Sequence, residues 1–343
     1  MSVRVAINGF GRIGRSVFKI GMMRPELDFV AINDLTDSRV LAHLLKHDSI
    51  QGAMLNHVTS SHRSITIDGK EIIAFSKSAP EKLPWKDLAV DVVLESTGVF
   101  TGREEAYRHI AAGAQKVVIS EPGPDPDVTI IPGVNTFEYK KDHHHVVSMG
   151  SCTANCLSPI IKILNEEFGV SCGYMTTVHS YTTNQVLLDS PHKDIRRART
   201  MVQTIIPTTS SAIEAVGRVI PELAGKLHGI AVRVPTPKVA LVDFVAVLSK
   251  KTDKEEVNNR LQAGADGPLR GIMGCTDEPL VSSDFEGSPY SSIVDLSCTQ
   301  VVGGNMAKII AWYDNESGFS HRLCDLLPLL FGHDVIQKQR GVS

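Results

Sequence analysis

A glycine-rich turn near the N-terminus constrains the fold more than any other feature of this sequence. Residues 9–14 read Gly-Phe-Gly-Arg-Ile-Gly, after a β-branched run at 3–7 and before a helical pattern at 15–22. The first glycine permits a tight turn, the second lets backbone approach a pyrophosphate, and the third brings helix against strand. The start of a helix also favours an anion. The pattern predicts a dinucleotide-binding fold, with a glycine-rich turn that binds nothing as the alternative.

An acidic residue follows the next apolar strand, which we predict over residues 29–33. Asp34 stands 34 − 14 = 20 residues after Gly14, where an acid binds the ribose hydroxyls of an adenosine. A carboxylate at that position repels the additional phosphate of NADP. We therefore expect NAD as the cofactor.

Short apolar strands alternate with helices through the first half of the chain. This alternation predicts a parallel, doubly wound Rossmann sheet with right-handed crossovers. A hairpin that turns at Asp68-Gly69 is expected within it. The predicted strands cover residues 3–7, 29–33, 90–95, 116–120, 128–131 and 146–149, and the helices cover 15–22, 41–46 and 103–112.

The second half of the chain has a different pattern. After a helix predicted over residues 154–168 come longer segments in which apolar and polar residues alternate: 172–180, 230–234, 240–248, 293–297 and 306–313. Such strands predict an α+β domain with a mostly antiparallel sheet and helices on one face. The chain length of 343 residues suits two domains. We predict an NAD-binding domain over 1–150, completed by a C-terminal helix over 318–335, and a catalytic domain over 151–317.

Composition excludes several classes of protein. The net charge is −3, from 35 basic and 38 acidic residues, so no nucleic-acid partner is indicated. No apolar run reaches the roughly 18 residues that span a bilayer. Six cysteines without a regular framework are typical of reduced thiols, and we expect a cytoplasmic enzyme. The three adjacent histidines at 143–145 are interpreted as a surface loop and not as a metal site.

A cysteine stands at the boundary between the two predicted domains. Ser151-Cys152-Thr153 precedes the predicted helix, and a thiol at a helix N-terminus has its thiolate favoured by the dipole. A thiolate can attack an aldehyde, and backbone donors can hold the resulting alkoxide. His179 ends a predicted strand and could take the hydroxyl proton as hydride leaves. From spacing alone, a structural histidine remains the alternative.

Eight motifs occur in order along nearly the whole chain: INGFGRIGR, NDLTD, SCTANC, TTVHSYTTNQ, HKDIRRAR, IIPTTSS, VRVPTP and WYDNESGF. Together they resemble the phosphorylating glyceraldehyde-3-phosphate dehydrogenase family. The resemblance implies that Cys152 is the nucleophile and that His179 activates the thiol and acts as acid and base. It also implies a set of residues that contact NAD: Gly9, Arg12, Ile13, Asp34, Ser120 and Asn315.

The resemblance implies two anion pockets as well. Thr182 and Arg233, with Arg197 nearby, correspond to the pocket for the phosphate of the substrate. Arginine offers a planar fork to phosphate oxygens. We predict a long ordered loop over residues 189–202, and its arginines, Arg196, Arg197 and Arg199, could each instead make a surface ion pair. The pocket for attacking inorganic phosphate corresponds to four hydroxyl residues: Ser151, Thr153, Ser210 and Ser211.

The expected reaction is NAD-dependent oxidation of glyceraldehyde 3-phosphate to 1,3-bisphosphoglycerate through a Cys152 thioester, in glycolysis or gluconeogenesis. The partners implied are a small phosphorylated aldehyde, inorganic phosphate and further copies of the chain in a homotetramer, with no membrane. Two alternatives stay open. Phe319 and the segment 120–124 favour an erythrose-4-phosphate dehydrogenase, which hydrolyses its thioester with water. Ser317 and the altered cysteine motif would suit a catalytically degenerate NAD-binding protein.

Overall fold

The computed structural model describes residues 2–333. Within that range the chain divides into two compact units. Unit 1 comprises residues 2–130, 137–150 and 320–333, and unit 2 comprises residues 131–136 and 151–319. In the part of the chain described, no helix is long and apolar enough to cross a membrane.

Unit 1 is built on a nine-stranded sheet in the order β3-β4-β5-β2-β1-β6-β7-β9-β8. The strands are β1 (Val3–Asn8), β2 (Leu27–Asn33), β3 (Val58–Ser61), β4 (Ser64–Ile67), β5 (Lys70–Phe75), β6 (Val92–Glu95), β7 (Lys116–Ile119), β8 (Val128–Thr129) and β9 (Val146–Ser148). The helices are α1 (Arg12–Gly21), α2 (Ser38–Lys46) and α3 (Arg103–Ala111).

Every pair from β5 to β8 in that order is parallel, and only the β3-β4-β5 edge is antiparallel. The parallel, doubly wound sheet is therefore confirmed. The central strands β6 and β7 are buried along their whole length, which is why their sequences are apolar without alternation. The predicted hairpin is also present, as β4 and β5 joined by Asp68 (φ 48°) and Gly69 (φ 86°).

Unit 2 holds a seven-stranded sheet in the order β11-β12-β10-β13-β16-β15-β14. Its elements in chain order are α4 (Cys152–Phe168), β10 (Val170–Ser180), β11 (Ile206–Thr208), α5 (Ala212–Val219), β12 (Leu227–Val234), β13 (Ala240–Leu248), α6 (Lys254–Asp266), β14 (Met273–Thr276), β15 (Ser292–Val302) and β16 (Met306–Tyr313). Four of the six strand pairs are antiparallel, as predicted, and β10-β12 and β14-β15 are parallel.

The core of unit 2 lies between this sheet and the three helices α4, α5 and α6. Helix α4 is buried along most of its length and begins at Cys152, two residues before the predicted start at 154. The predicted loop over residues 189–202 is ordered and includes a short 3-10 turn at Ile195–Ala198. The sequence prediction missed β3, β11, β14, α5 and α6.

The last described helix, α7, covers Ser317–Leu329. The helix predicted over 318–335 therefore ends earlier than expected. Pro328 lies in its last turn, and Gly332 adopts φ 86°, a left-handed conformation that breaks the helical path. Residues 334 and 335 of that prediction lie outside the described range.

Candidate active site

Cys152 occupies the first position of α4, where the helix presents its unbonded N–H groups. Ser151 caps this helix, because its hydroxyl accepts the backbone N–H of Ala154 at 3.1 Å. The cap fixes the first turn and therefore the direction in which the thiol projects. A partial positive charge at the helix start stabilises negative charge on the sulfur.

The structure brings the predicted nucleophile and base together. His179 lies near the end of β10, with 2 % of its surface exposed, and its Nε2 is 3.5 Å from the Sγ of Cys152. A thiol and an imidazole at this distance can exchange a proton directly. The predicted pairing of nucleophile and base therefore has a suitable geometry.

Arg233 reaches the far side of the same imidazole. It lies opposite His179 in the parallel register of β10 and β12. Its Nη1 is 2.7 Å from His179 Nδ1 and 3.2 Å from the carbonyl oxygen of Ser180, while Nδ1 itself is 2.7 Å from that carbonyl oxygen. One ring nitrogen either donates to the carbonyl or accepts from the guanidinium, so the two contacts correspond to alternative tautomers of the ring.

Burial and the Arg233 charge set the protonation of this cluster. Burial, and then the charge of Arg233, lower the pKa of His179 to about 3, so that the imidazole is a neutral base at physiological pH. Burial raises the pKa of the Cys152 thiol, whereas Arg233, Thr153 and the helix N–H groups lower it. Burial also lowers the pKa of Arg233. The structure without substrate therefore holds a neutral imidazole beside a protonated thiol at physiological pH.

A tyrosine that the sequence analysis did not single out supports Thr153. Tyr313, 1 % exposed at the end of β16, contacts the hydroxyls of Thr153 at 2.8 Å and Thr177 at 2.9 Å. Thr177 also donates to the carbonyl of Leu241 at 3.0 Å. These hydroxyls form a continuous buried chain that ends beside the nucleophile. Tyr313 lies in the WYDNESGF motif, but no role was assigned to it there, and the pairing of β13 with β16 places it here.

Asn315 is held from two directions. The hydroxyl of Ser180 donates to Asn315 Oδ1 at 2.9 Å. The neighbouring carboxylate of Asp314 accepts the backbone N–H groups of Glu316 and Ser317 at 2.9 and 2.8 Å, which fixes the turn before α7. With Oδ1 engaged, the amide nitrogen of Asn315 is the end that can bind a ligand carboxamide.

The residues assigned to the substrate phosphate lie in the segment that follows β10 and on β12. Thr182 bonds within its own turn, to the side chain of Gln185. Arg197 lies in the 3-10 turn and pairs with Asp194 at 3.1 Å, and its charge is close enough to lower the pKa of Arg233. The Nε of Arg233 is buried and has no hydrogen-bond partner within residues 2–333. Two neighbouring guanidinium groups with an unspent donor are suited to a phosphate.

Ser210 and Ser211 lie at the start of α5. Ser210 accepts the N–H of Ala212 at 3.3 Å, and exposed Ser211 is the helix N-cap without a side-chain cap bond. Among the described residues, no hydrogen bond joins this pair to Cys152. The serines predicted for inorganic phosphate therefore sit at a second helix N-terminus, whose N–H groups favour an anion.

The turn between β1 and α1 fits a dinucleotide. Gly9 has φ 91°, and a Cβ there would lie 2.7 Å from the backbone of Ser96 and Thr97. A Cβ on Gly11 would meet nothing within 4 Å, and Gly11 is the N-cap of α1 without a side-chain cap bond. The backbone is thus strained at one glycine and open at the other. The open position is where a pyrophosphate can approach the start of α1.

Asp34 follows β2 and accepts the N–H groups of Phe10 at 2.8 Å and Thr36 at 2.9 Å. Its carboxylate is therefore fixed beside the glycine turn, at the carboxyl ends of the strands. Ile13 lies in the first turn of α1, and Ser120 follows β7 with its N–H bonded to the carbonyl of Glu95 at 3.0 Å. All the NAD residues predicted in unit 1 occupy this edge of the sheet, as expected for an open α/β fold.

Two supporting groups in unit 1 escaped the sequence analysis. Asp48, whose side chain is 3 % exposed, accepts Nη1 of Arg12 at 2.8 Å and two backbone N–H groups. Although burial opposes it, these hydrogen bonds lower the Asp48 pKa to about 2. The second group is Glu95 at the end of β6, which accepts the backbone N–H of Thr97 at 2.8 Å and also bonds its hydroxyl. Their signal in the sequence was only an acidic residue after an apolar segment.

Both halves of the chain match models of known families. The model described as "Glyceraldehyde 3-phosphate dehydrogenase, NAD binding domain" covers residues 3–103, which confirms NAD as the cofactor, and the corresponding C-terminal domain covers 151–315. Glyceraldehyde-3-phosphate dehydrogenase of Geobacillus stearothermophilus is 53 % identical over 326 residues, 95 % of this chain and 97 % of that protein.

Glyceraldehyde-3-phosphate dehydrogenase 1 of Bacillus cereus is 51 % identical, with 94 % of this chain and 97 % of that protein covered. Glyceraldehyde-3-phosphate dehydrogenase 2 of Trichormus variabilis is 50 % identical, with 96 % and 98 % covered. These similarities extend over nearly the whole of each protein. They confirm the resemblance seen in the motifs: the chain belongs to the glyceraldehyde-3-phosphate dehydrogenase family.

Proposed function

We propose that this chain oxidises glyceraldehyde 3-phosphate with NAD and inorganic phosphate, giving 1,3-bisphosphoglycerate. The single observation that carries the proposal is the 3.5 Å contact between Cys152 Sγ and His179 Nε2, at the first position of α4. It supplies a nucleophile and a base in a chain that shares about half its residues with named dehydrogenases. Unit 1 is assigned to NAD and unit 2 to the aldehyde.

The reaction begins when the sulfur of Cys152 adds to the carbonyl carbon. His179 takes the thiol proton through Nε2 and returns it to the new alkoxide, so a neutral thiohemiacetal forms. The N–H groups at the start of α4 stabilise the alkoxide while it exists. The nearby Arg233 charge also favours an anionic intermediate.

Oxidation follows at the same carbon. His179 removes the hydroxyl proton while the hydride leaves that carbon, and a thioester remains on Cys152. Bound NAD supplies the acceptor for this hydride. A phosphate oxygen then attacks the thioester carbonyl, the C–S bond breaks, and Cys152 leaves as a thiolate. One hydride and one proton have been removed, and the acyl group departs as an acyl phosphate.

Charge complementarity supports a phosphorylated aldehyde as substrate. Arg233 has a buried Nε with no partner in the described chain, and Arg197 lies close enough to repel it. A phosphate dianion would relieve this repulsion and occupy the unspent donor. We assign Thr182 to the same pocket, and Ser151, Thr153, Ser210 and Ser211 to the attacking phosphate.

A pre-steady-state burst assay tests the proposal. Mixing enzyme and NAD with glyceraldehyde 3-phosphate should give a burst of NADH near one per active site, followed by turnover that depends on inorganic phosphate. The Cys152→Ser variant should lose the burst. A steady rate equal with and without phosphate, or faster turnover of erythrose 4-phosphate, would favour hydrolysis of the thioester. NAD binding without any burst would indicate a degenerate protein.

A cytoplasmic homotetramer also belongs to this proposal. The oligomer is supported by the segment 187–205, which exposes several large apolar side chains: Leu187, Leu188, Ile195, Val202 and Ile205. Such a patch is suited to an interface. Light scattering coupled to size exclusion would give about four times the chain mass of 37.3 kDa. A monomer at micromolar concentration would contradict this part.

A further inference from the structure

The turn after β10 contains a glutamine that bonds Thr182 three times. The Oε1 of Gln185 accepts the backbone N–H of Thr182 at 2.9 Å and its hydroxyl at 3.1 Å. The backbone N–H of Gln185 donates in return to the carbonyl of Thr182 at 3.0 Å. The side chain of Thr182 is thus held at a fixed angle to its own backbone.

These contacts determine which way the amide of Gln185 faces. A backbone N–H can only donate, so the atom facing Thr182 is the oxygen, and the NH₂ group points to the other side. Gln185 is only 7 % exposed. Its Nε2 is buried and has no hydrogen-bond partner within the described chain. A buried amide nitrogen without a partner lowers stability, so Nε2 requires an acceptor from outside the described chain.

The same neighbourhood contains a second unspent donor. Arg233 bonds the carbonyl of Ser180, two residues before Thr182, and its buried Nε likewise has no partner among residues 2–333. Two unspent donors, one on the turn after β10 and one on the neighbouring β12, suit a ligand with several acceptor oxygens. The positive charges of Arg233 and of nearby Arg197 favour an anionic ligand.

We infer that Gln185 is a positioning and specificity residue for the substrate phosphate. Its Oε1 holds Thr182, and its Nε2 donates to the bound anion. The inference rests on the proposed function and assigns to this pocket a residue of the TTVHSYTTNQ motif to which the sequence analysis gave no role. In this arrangement Gln185 selects phosphorylated over unphosphorylated aldehydes and takes no part in the chemistry at Cys152.

Two substitutions separate the ends of the amide. Gln185→Met removes the acceptor and the donor at similar length. Gln185→Glu keeps an oxygen for Thr182 but replaces the NH₂ group with a second oxygen. Loss of a hydrogen bond to a charged group changes affinity by about 10-fold or more. We expect KM for glyceraldehyde 3-phosphate to rise about 10-fold in Gln185→Met and further in Gln185→Glu, because a carboxylate repels phosphate.

Unphosphorylated D-glyceraldehyde separates the two possible roles of Gln185. If Gln185 only maintained the structure, its loss would also lower activity on this substrate. Its kcat/KM, and the rate at which iodoacetamide alkylates Cys152, should stay within about twofold of wild type in both variants. Exposed Thr183, changed to alanine, is the matched control and should leave both substrates unaffected. Because Gln185 acts partly through Thr182, the Thr182→Val and Gln185→Met effects on KM should be less than additive in the double variant.

Each outcome bears on a different claim. A KM in Gln185→Glu equal to wild type, or equal losses on both aldehydes, would overturn the inference. Fully additive effects with Thr182→Val would do the same. If wild-type enzyme oxidises neither aldehyde with NAD, the proposed function itself fails, whereas normal wild-type turnover with insensitive Gln185 variants removes only the inference.

Discussion

Arg233 should control the reactivity of Cys152, and the size of the effect follows from the geometry. The sulfur is 3.5 Å from one nitrogen of His179, and Arg233 is 2.7 Å from the other. With the width of the ring, the charge lies about 8 Å from the sulfur, where an effective dielectric of roughly 20 gives about 2 kcal/mol. Arg233 therefore stabilises the thiolate, although burial raises the thiol pKa by a larger amount.

The perturbation is Arg233→Gln, which removes the charge and keeps a hydrogen-bonding side chain. The thiol pKa should then rise further, so less thiolate is present at any pH below it. Alkylation of Cys152 by iodoacetamide should slow by roughly 30-fold near neutral pH, the equivalent of about 2 kcal/mol. Above the thiol pKa of both proteins, the rates should converge.

The assay measures pseudo-first-order alkylation from pH 5 to 10, with peptide mapping to separate Cys152 from the buried Cys156. Arg260→Gln provides a control with the same change in net charge, because Arg260 makes a half-exposed pair with Glu167 on the helical side of unit 2. Superimposable profiles for Arg233→Gln and wild type would refute the electrostatic argument. The loss should persist to pH 10, because burial keeps the thiol pKa of both proteins above its usual value.

Three further predictions concern binding and stability. Gly11→Ala should leave the melting temperature unchanged but raise Kd for NAD by about 10-fold or more, because only a ligand would meet the new methyl group. Gly9→Ala, in contrast, should lower the melting temperature itself. Unchanged NAD affinity in Gly11→Ala would contradict the assignment of this turn to the pyrophosphate. Asp48→Asn should cost about 1 kcal/mol of stability at pH 7 after allowance for solvent screening, and should loosen Arg12. Since the Asp48 pKa is depressed, that difference in urea unfolding is present above pH 4 and is lost as pH falls towards 2; a difference that persists at pH 2 would exclude this cause. Tyr313→Phe should lower stability by about 2 kcal/mol, because two buried hydroxyls lose a partner; an unchanged unfolding midpoint would show that the hydroxyl chain contributes little.

The fold of the first half was predictable because its signals are local. Each strand of the parallel sheet is short, apolar and followed by a turn, and the pattern does not depend on distant residues. In the second half, β11 has only three residues, too few for any periodicity to be recognised. Helix α6 was missed despite a usable signal, since Asp253 caps it and Val257, Leu261 and Ala265 repeat at intervals of four. Surrounding polar residues concealed that narrow apolar stripe.

The site was predictable only where chemistry and motif coincide. Cys152 could be identified from the helix that follows it. The approach of His179, Arg233 and Tyr313 could not be obtained from spacing, because it depends on the register of β10 with β12 and of β13 with β16. The family motifs supplied His179 and Arg233. Tyr313 and Gln185 also lie in these motifs, but no role was assigned to them, because their roles depend on hydrogen bonds that form only in the folded chain.

The buried hydrogen-bonded cluster of Trp85, His109 and Glu95 restricts which substitutions this sequence can accept. The indole N–H of Trp85 donates to His109 Nδ1 at 2.9 Å, which leaves Nε2 to donate to Glu95 at 3.1 Å. If one of these three residues is replaced by an aliphatic residue, or if the imidazole changes tautomer, the remaining side chains lose a hydrogen-bond partner. Natural variants should therefore retain all three or exchange them as a set. Glu95 also fixes Thr97, which lies beside the strained Gly9. A substitution at the more distant Trp85 would therefore lower the affinity for the cofactor.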